Sequence, residues 1–242
     1  MRRVRPFELA LWATCLAGAC GIARADDEAV QHGPGRATSH RSFADVEQWK
    51  AVFDDPKRDE WQKPGEVIRA LRIKEGQRVA DLGAGTGYFL PHLSRAVGAI
   101  GVVYAVEVEP TLVAHLRQRA EEGGFPQVVP VLASKDNPRL PTGQLDLVLI
   151  VDTFHHIDHR AAYLANLKRA LAPLGRVAVI DWRKEPLPEG PAPEHKLPPA
   201  QVVAEVTAAG FELVESPDFL AYQYVLVFRN SEAHNSAPRP QE

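Results

Sequence analysis

Sulfur is almost missing from this sequence. Its two cysteines, Cys15 and Cys20, and its single methionine, Met1, all lie in an N-terminal stretch that reads as a secretory signal peptide. Without that stretch the chain has no disulfide, no thiol nucleophile and no thiolate metal site, so any chemistry must use other groups. An excess of one charge is missing too: 28 Lys and Arg face 31 Asp and Glu, the net charge is −3, and no basic run stands out. That balance excludes general attraction to nucleic acid. Long hydrophobic runs are also lacking, since the apolar stretch from Leu9 to Ala23 falls short of the roughly 20 residues of a membrane span.

That stretch follows an Arg-rich start and ends at Ala23-Arg24-Ala25 before two aspartates, the pattern of a signal peptide over residues 1–25 with an A-x-A cleavage site after Ala25. A periplasmic or secreted protein is expected, with an uncleaved membrane anchor as the alternative. Cys20 lacks the Leu usual three places before a lipidated cysteine. Residues 26–42 are polar, contain Gly33-Pro34-Gly35 and read as a linker; residues 43–230 form one domain with its core at about 74–183, and 231–242 read as a disordered tail.

Within the domain, Phe43, Val46, Trp49, Val52 and Phe53 recur at helical spacing, and a second helix is predicted from Pro64 to Leu71; both precede the sheet and pack over it. Apolar strand-like runs then appear at Arg78 to Leu82, Val102 to Val108, Gln127 to Ala133, Leu145 to Val151 and Arg176 to Asp181. Helical patterns intervene at Thr86 to Val97, Pro110 to Glu122 and His159 to Leu171. Continuous apolar runs imply strands buried on both faces, and strand-helix alternation implies parallel neighbours with right-handed crossovers. The predicted fold is α/β, a Rossmann-like doubly wound sheet. A last helix (Pro198 to Ala209) precedes "FELVES" and "YQYVLVFR", two strands separated only by "PDFLA". Parallel neighbours need a crossover of a dozen or more residues, so one of these two runs antiparallel.

The stretch "VADLGAGTGYF", Val79 to Phe89, has a nucleotide-binding look. The dinucleotide fingerprint G-x-G-x-x-G fails by one place, because its third glycine would fall at Tyr88 and the glycines are Gly83, Gly85 and Gly87. Asp81 stands at the carboxyl end of the strand, where a doubly wound sheet binds ligand. A carboxylate there repels a pyrophosphate and attracts a ligand carrying ammonium and sulfonium groups, which favours S-adenosylmethionine over a nicotinamide dinucleotide. Glu107, at the tip of the second strand, suits a ribose diol.

Together, "VADLGAGTGYF", "YAVEVEP", "PRLPTGQLDLVLIVDTFHHI" and "LKRALAPLGRVAVIDW" resemble, in order and spacing, the motifs of the class I S-adenosylmethionine-dependent methyltransferases. The likeness runs from about Trp49 to Phe228 and is greatest to a bacterial exported branch that keeps "WQKPGEV" and "EHK". It implies a seven-stranded sheet whose antiparallel last strand is "YQYVLVFR". It also implies that Asp81, Gly83, Gly85 and Gly87 line the methionine part of the cofactor and that Glu107 holds the ribose. Asp136 or Asn137 would meet the adenine, and Asp152 would lie close to the sulfonium.

Methyl transfer from sulfonium asks mainly for alignment and exclusion of water; a base is needed only when the acceptor holds its proton tightly. "VDTFHHIDHR" follows the fourth strand and offers His155 and His156 as candidate bases. His155 and His159, four apart, are also a conceivable metal pair, but Asp158 reads as the next helix's N-cap and no metal is expected. Trp182 is expected to line the acceptor pocket, and His195 and Lys196, in a Pro-rich loop, to close over the substrate or meet an anionic group on it. The function expected is methyl transfer from S-adenosylmethionine to an unidentified small molecule; the alternative is an exported module that binds an adenosine derivative without catalysis.

Overall fold

The computed structural model describes residues 35–39 and 42–231. The signal peptide with Cys15 and Cys20, most of the linker and nearly all of the tail lie outside the described residues. Seven strands, β1 (Arg78–Leu82), β2 (Val102–Glu107), β3 (Val128–Leu132), β4 (Leu145–Val151), β5 (Leu171–Trp182), β6 (Phe211–Glu215) and β7 (Gln223–Asn230), form one sheet in the order β3-β2-β1-β4-β5-β7-β6. The pairs β3-β2-β1-β4-β5 are parallel, and β7 runs antiparallel to both β5 and β6. The short "PDFLA" connection thus has the consequence expected of it.

The strands are apolar throughout because helices cover both faces. Val79, Leu147 and Leu149 meet α3 (Pro64–Ala70), α4 (Leu90–Val97) and α5 (Pro110–Glu122) through Val67, Leu93 and Leu116; Ala80, Val148 and Ile150 meet α6 (Arg160–Ala170) and α7 (Pro199–Ala208) through Leu164, Leu167 and Val202. Strand order reverses between β1 and β4, and a doubly wound sheet opens its ligand crevice at that reversal. Two further helices, α1 (Val46–Phe53) and the unforeseen one-and-a-half turns of α2 (Arg58–Gln62), lie above it.

Boundaries differ from expectation for local reasons. The helix expected from Thr86 begins at Leu90, because Gly85 and Gly87 hold φ of +56° and +87°, a region closed to helix. β5 begins at Leu171, directly at the end of α6, and reaches its main register through an irregularity opposite Leu145 to Leu147. Asp158 does not cap α6: the cap position belongs to His159 in the left-handed region (φ 50°), while Asp158 accepts a hydrogen bond from the Ala37 N–H at 3.0 Å.

The described part of the expected linker is a bound strap. Ala37 and Thr38 are buried; the Thr38 N–H donates to the His155 carbonyl (2.7 Å), and its hydroxyl lies 2.6 Å from the His195 carbonyl and 3.1 Å from that of His155. Arg160, fully buried in α6, forks onto Glu205 of α7 and donates through Nη1 to the Arg36 carbonyl at 2.6 Å. Gly and Pro flank this strap, but its polar residues are satisfied by the body rather than by water, which composition does not reveal. Thr38→Ala is expected to lower unfolding free energy by about 1–2 kcal/mol in denaturant titration, because the hydroxyl is a buried donor to two carbonyls.

Candidate functional site

The end of β1 leads into the glycine turn. Gly83 N–H and Ala84 N–H both donate to the Val106 carbonyl (2.9 and 3.1 Å), which folds the turn against β2. Gly83 has φ +74°, and a Cβ there would meet Thr153 at 2.4 Å, so the turn after β1 and the turn after β4 touch through a missing side chain. Asp81, 3% exposed, is pushed up to a pKa of about 7, chiefly by burial, against the pull of Arg58 and with a further push from Glu107.

Glu107 sits at the tip of β2, nearly buried. Its Oε1 accepts from the Val108 N–H at 2.6 Å and its Oε2 from the Gly85 N–H at 3.1 Å. Burial raises its pKa while these backbone donors hold it down. A carboxylate fixed in this way keeps free lone pairs for the two hydroxyls of a ribose. After β3, the Ala133 N–H donates to the Glu107 carbonyl at 2.8 Å and brings the next loop alongside. There Asp136 is exposed and accepts from the Ser134 hydroxyl at 2.6 Å, whereas Asn137 turns its side-chain oxygen onto the Arg139 N–H. Tyr163 of α6 feels both Glu107 and Asp136, and burial with those two charges raises its phenol pKa. Tyr163 thus borders the same corner, a residue that reads from sequence only as helix core.

β4 ends in Asp152, whose φ of 52° turns the chain sharply. Its Oδ1 accepts from Gln223 Nε2 at 2.6 Å, Gln223 in turn accepts from Gln62 Nε2 at 2.8 Å, and Arg58 stands 3.6 Å from Oδ2. Burial pushes Asp152 up to about 7, with Arg58 opposing and Asp181 adding to the rise. The buried glutamines tie α2, β7 and the β4 turn into one unit. "WQKPGEV" supplied Gln62, but the partner Gln223 is 161 residues away and no local pattern announces it.

The lid helices meet the glycine turn directly. The Thr86 hydroxyl donates to Asp54 at 2.8 Å, Arg119 bridges Asp54 (2.6 Å) and the Thr86 carbonyl (2.9 Å), and a Cβ on Gly85 would touch the Phe53 ring at 3.5 Å. Phe43, Trp49 and Phe53 stack together above, with Phe43 edge-on to His156 at 5.3 Å between ring centres. Trp61 instead lies against Trp182 at 5.1 Å.

Of the two histidines, His155 is buried with Nδ1 2.8 and 3.0 Å from the oxygens of Asp181, which also accept from the Trp182 and His155 N–H groups. Burial alone pulls this imidazole's pKa down, but the Asp181 charge and hydrogen bond, with Asp152 beyond, leave it raised. Nδ1 thereby carries the proton and Nε2 is left as the basic atom. His156 directs Nδ1 toward the Ser39 carbonyl at 3.3 Å and is tied to the strap.

Two expected substrate contacts are used differently. His195 Nδ1 bonds the Thr38 carbonyl at 3.0 Å, and the fully buried Lys196 donates through Nζ to the Glu185 carbonyl at 2.8 Å and sits 5.9 Å from the Trp182 ring centre. Both shape the Pro-rich loop; neither is an open anion contact. Trp182, almost wholly buried, forms the wall between that loop and α2.

These residues fit S-adenosylmethionine. Two buried acids await cationic groups, Glu107 offers acceptors at ribose distance from the turn, and Gly85 leaves no side chain over the crevice. The comparisons agree with this chemistry. Residues 79–175 match the family described as a methyltransferase domain, and over 78% of this chain and 98% of the other the fold superposes with TM-score 0.73 and 28% identity on a SAM dependent methyltransferase from Aquifex aeolicus. The chain belongs to the class I S-adenosylmethionine-dependent methyltransferases. Its cofactor is accordingly S-adenosylmethionine. Among curated proteins it resembles the ubiquinone/menaquinone biosynthesis C-methyltransferases of Cupriavidus metallidurans (27% identity over 119 residues, 49% of this chain and 48% of that one) and Burkholderia vietnamiensis (28% over 124 residues, 50% of each). The chain spans about half the length of the curated relatives it matches. A likeness at 20% identity and TM-score 0.57 to the [4+2]-cyclase SpnF, over 65% of this chain and 58% of the other, concerns the fold alone.

Proposed function

We propose that this methyltransferase moves the methyl group of S-adenosylmethionine to a small-molecule acceptor that gives up a proton to His155. The Asp181–His155 pair carries this reading, because a buried carboxylate fixing the tautomer of a histidine beside Asp152 is the arrangement of an oriented base. The bound cofactor supplies a methyl carbon activated by its positive sulfur. The chain holds the cofactor's charges with Asp81 and Asp152, excludes water with α1 and α2, and takes the acceptor's proton on Nε2 of His155. The acceptor atom forms a bond to carbon as the carbon–sulfur bond breaks, and charge balances through the proton held by the imidazole. The names of the Cupriavidus and Burkholderia relatives support a small-molecule acceptor, with carbon as one accepting atom. The Arg-rich start and Ala23-Arg24-Ala25 support export, which sequencing of the mature N-terminus tests directly.

A radiolabelled methyl assay against pools of small metabolites tests the activity. Cofactor binding with no transfer to any pool would favour the second reading, a module that binds without catalysis, for which the cyclase on the same fold shows that this architecture serves other chemistry. With an acceptor in hand, His155→Ala is expected to lower kcat by about 10²–10⁴-fold with cofactor affinity unchanged. Asp181→Asn removes the charge that raises the imidazole, so the acid limb of the pH–kcat profile, set by neutral His155, moves to lower pH. A limb that stays in place would show that Asp181 only supports the fold.

A further inference from the structure

Arg58 is a cation placed where the site already expects cationic ligand groups. Its guanidinium lies 3.6 Å from Asp152 and 4.1 Å from the Tyr88 ring centre, and it donates through Nη1 to the Phe53 carbonyl (3.1 Å) and through Nη2 to Gln62 (3.1 Å). Asp81 senses it as well. One donor is left over: Nε is sealed from solvent and has no hydrogen-bond partner. A buried N–H without an acceptor costs about 1–3 kcal/mol, so the site is arranged around a group that supplies one.

We infer that Arg58 is the residue that reads the carboxylate of the cofactor's amino-acid end, and so sets its selectivity for that end. The inference rests on the functional reading above. The chemistry is a matching of signs: the methionine portion of S-adenosylmethionine carries an ammonium, a carboxylate and a sulfonium, and the chain faces it with Asp81, Arg58 and Asp152. Ammonium and sulfonium groups suit the two acids. Neither acid can receive a carboxylate, and the one cation between them has an unused donor. The planar fork of Arg suits a carboxylate better than the point charge of Lys. Because Arg58 belongs to α2, and α2 is bound to β7 through Gln62 and Gln223, the same contact seats the lid when the cofactor is present. Before the cofactor arrives, the guanidinium offsets part of the charge of the two acids.

Calorimetry with four ligands tests this. Arg58→Gln is expected to weaken S-adenosylmethionine and S-adenosylhomocysteine about 10- to 100-fold, as loss of a charge-assisted pair does, and to leave 5′-methylthioadenosine, which lacks the amino-acid end, within about twofold. Wild-type protein should reject decarboxylated S-adenosylmethionine by a similar factor, the variant should not, and Arg58→Lys should fall between. Retained methylthioadenosine binding shows that the variant is folded at the ribose corner. In ligand-free protein, amide exchange over Arg58–Gln62 should rise in Arg58→Gln. Equal or tighter S-adenosylmethionine binding by the variant, or no discrimination by the wild type, would overturn the inference alone. A wild type that binds neither S-adenosylmethionine nor methylthioadenosine would overturn the functional reading, and this with it.

Discussion

Gly83→Ala is expected to abolish cofactor binding and to cost the fold about 2–4 kcal/mol. The backbone at this position has φ +74°, and the added Cβ would lie 2.4 Å from both Cγ2 and Oγ1 of Thr153. Thr153 has little room to yield, since its hydroxyl donates to the Val151 carbonyl at 2.8 Å and it follows the left-handed Asp152. Pushing it away would drag Asp152 off Gln223 and open the crevice between β1 and β4. Gly143 is the matched control: its φ of +68° is similar, but nothing lies within 4 Å of its Cβ position, so alanine there should cost only about 1 kcal/mol and leave binding intact. Denaturant titration and calorimetry on the two variants separate backbone strain from the close approach of the two turns. Wild-type affinity in Gly83→Ala would show that this approach is not needed.

Asp81→Asn is expected to separate binding from stability. The carboxylate has a folded pKa of about 7, above its ordinary value of 3.8, so the ligand-free fold loses stability from this group as pH rises from about 4 to about 7. Asparagine carries no such penalty, and the variant should be at least as stable as wild type at pH 8. S-adenosylmethionine affinity should nonetheless fall by about 10- to 100-fold, because the charge that attracts the ammonium is gone. Thermal unfolding and calorimetry read the two effects. A destabilised variant with unimpaired affinity would make Asp81 a structural acid.

The contrast between these two residues bears on what the chain's local pattern discloses. Gly83 and Asp81 are legible because turn, strand end and charge sit within one short stretch, and the same holds for Glu107 at the tip of β2. The apolar runs were legible for a related reason: a strand buried on both faces has no polar side, so β1, β2 and β4 stand out. What escaped depends on distance. Asp181 fixes His155 from another strand, Gln223 holds Asp152 across the sheet, and Arg58 belongs to a five-residue helix too short to show a period. The strap at Gly35 to Ser39 escaped because its composition is that of a solvated linker, and only its partners, Arg160 and the carbonyls of His155 and His195, give it a place. His195 and Lys196 misled in the opposite sense: polar residues in a long loop suggested ligand contact, yet their side chains hold that loop to the body.

Titrating the wild-type protein with S-adenosylmethionine by calorimetry at pH 6 and pH 7.5 tests the central claim, that two buried carboxylates await a cationic adenosine derivative. Both acids have pKa values of about 7 in the ligand-free protein, so each is mostly protonated at pH 6 and mostly charged at pH 7.5, and the ligand's amino group remains largely protonated over that interval. The account predicts binding at both values, at least about fivefold tighter at pH 7.5, with protons released on binding. No binding at either pH, or affinity that weakens as pH rises, would contradict it.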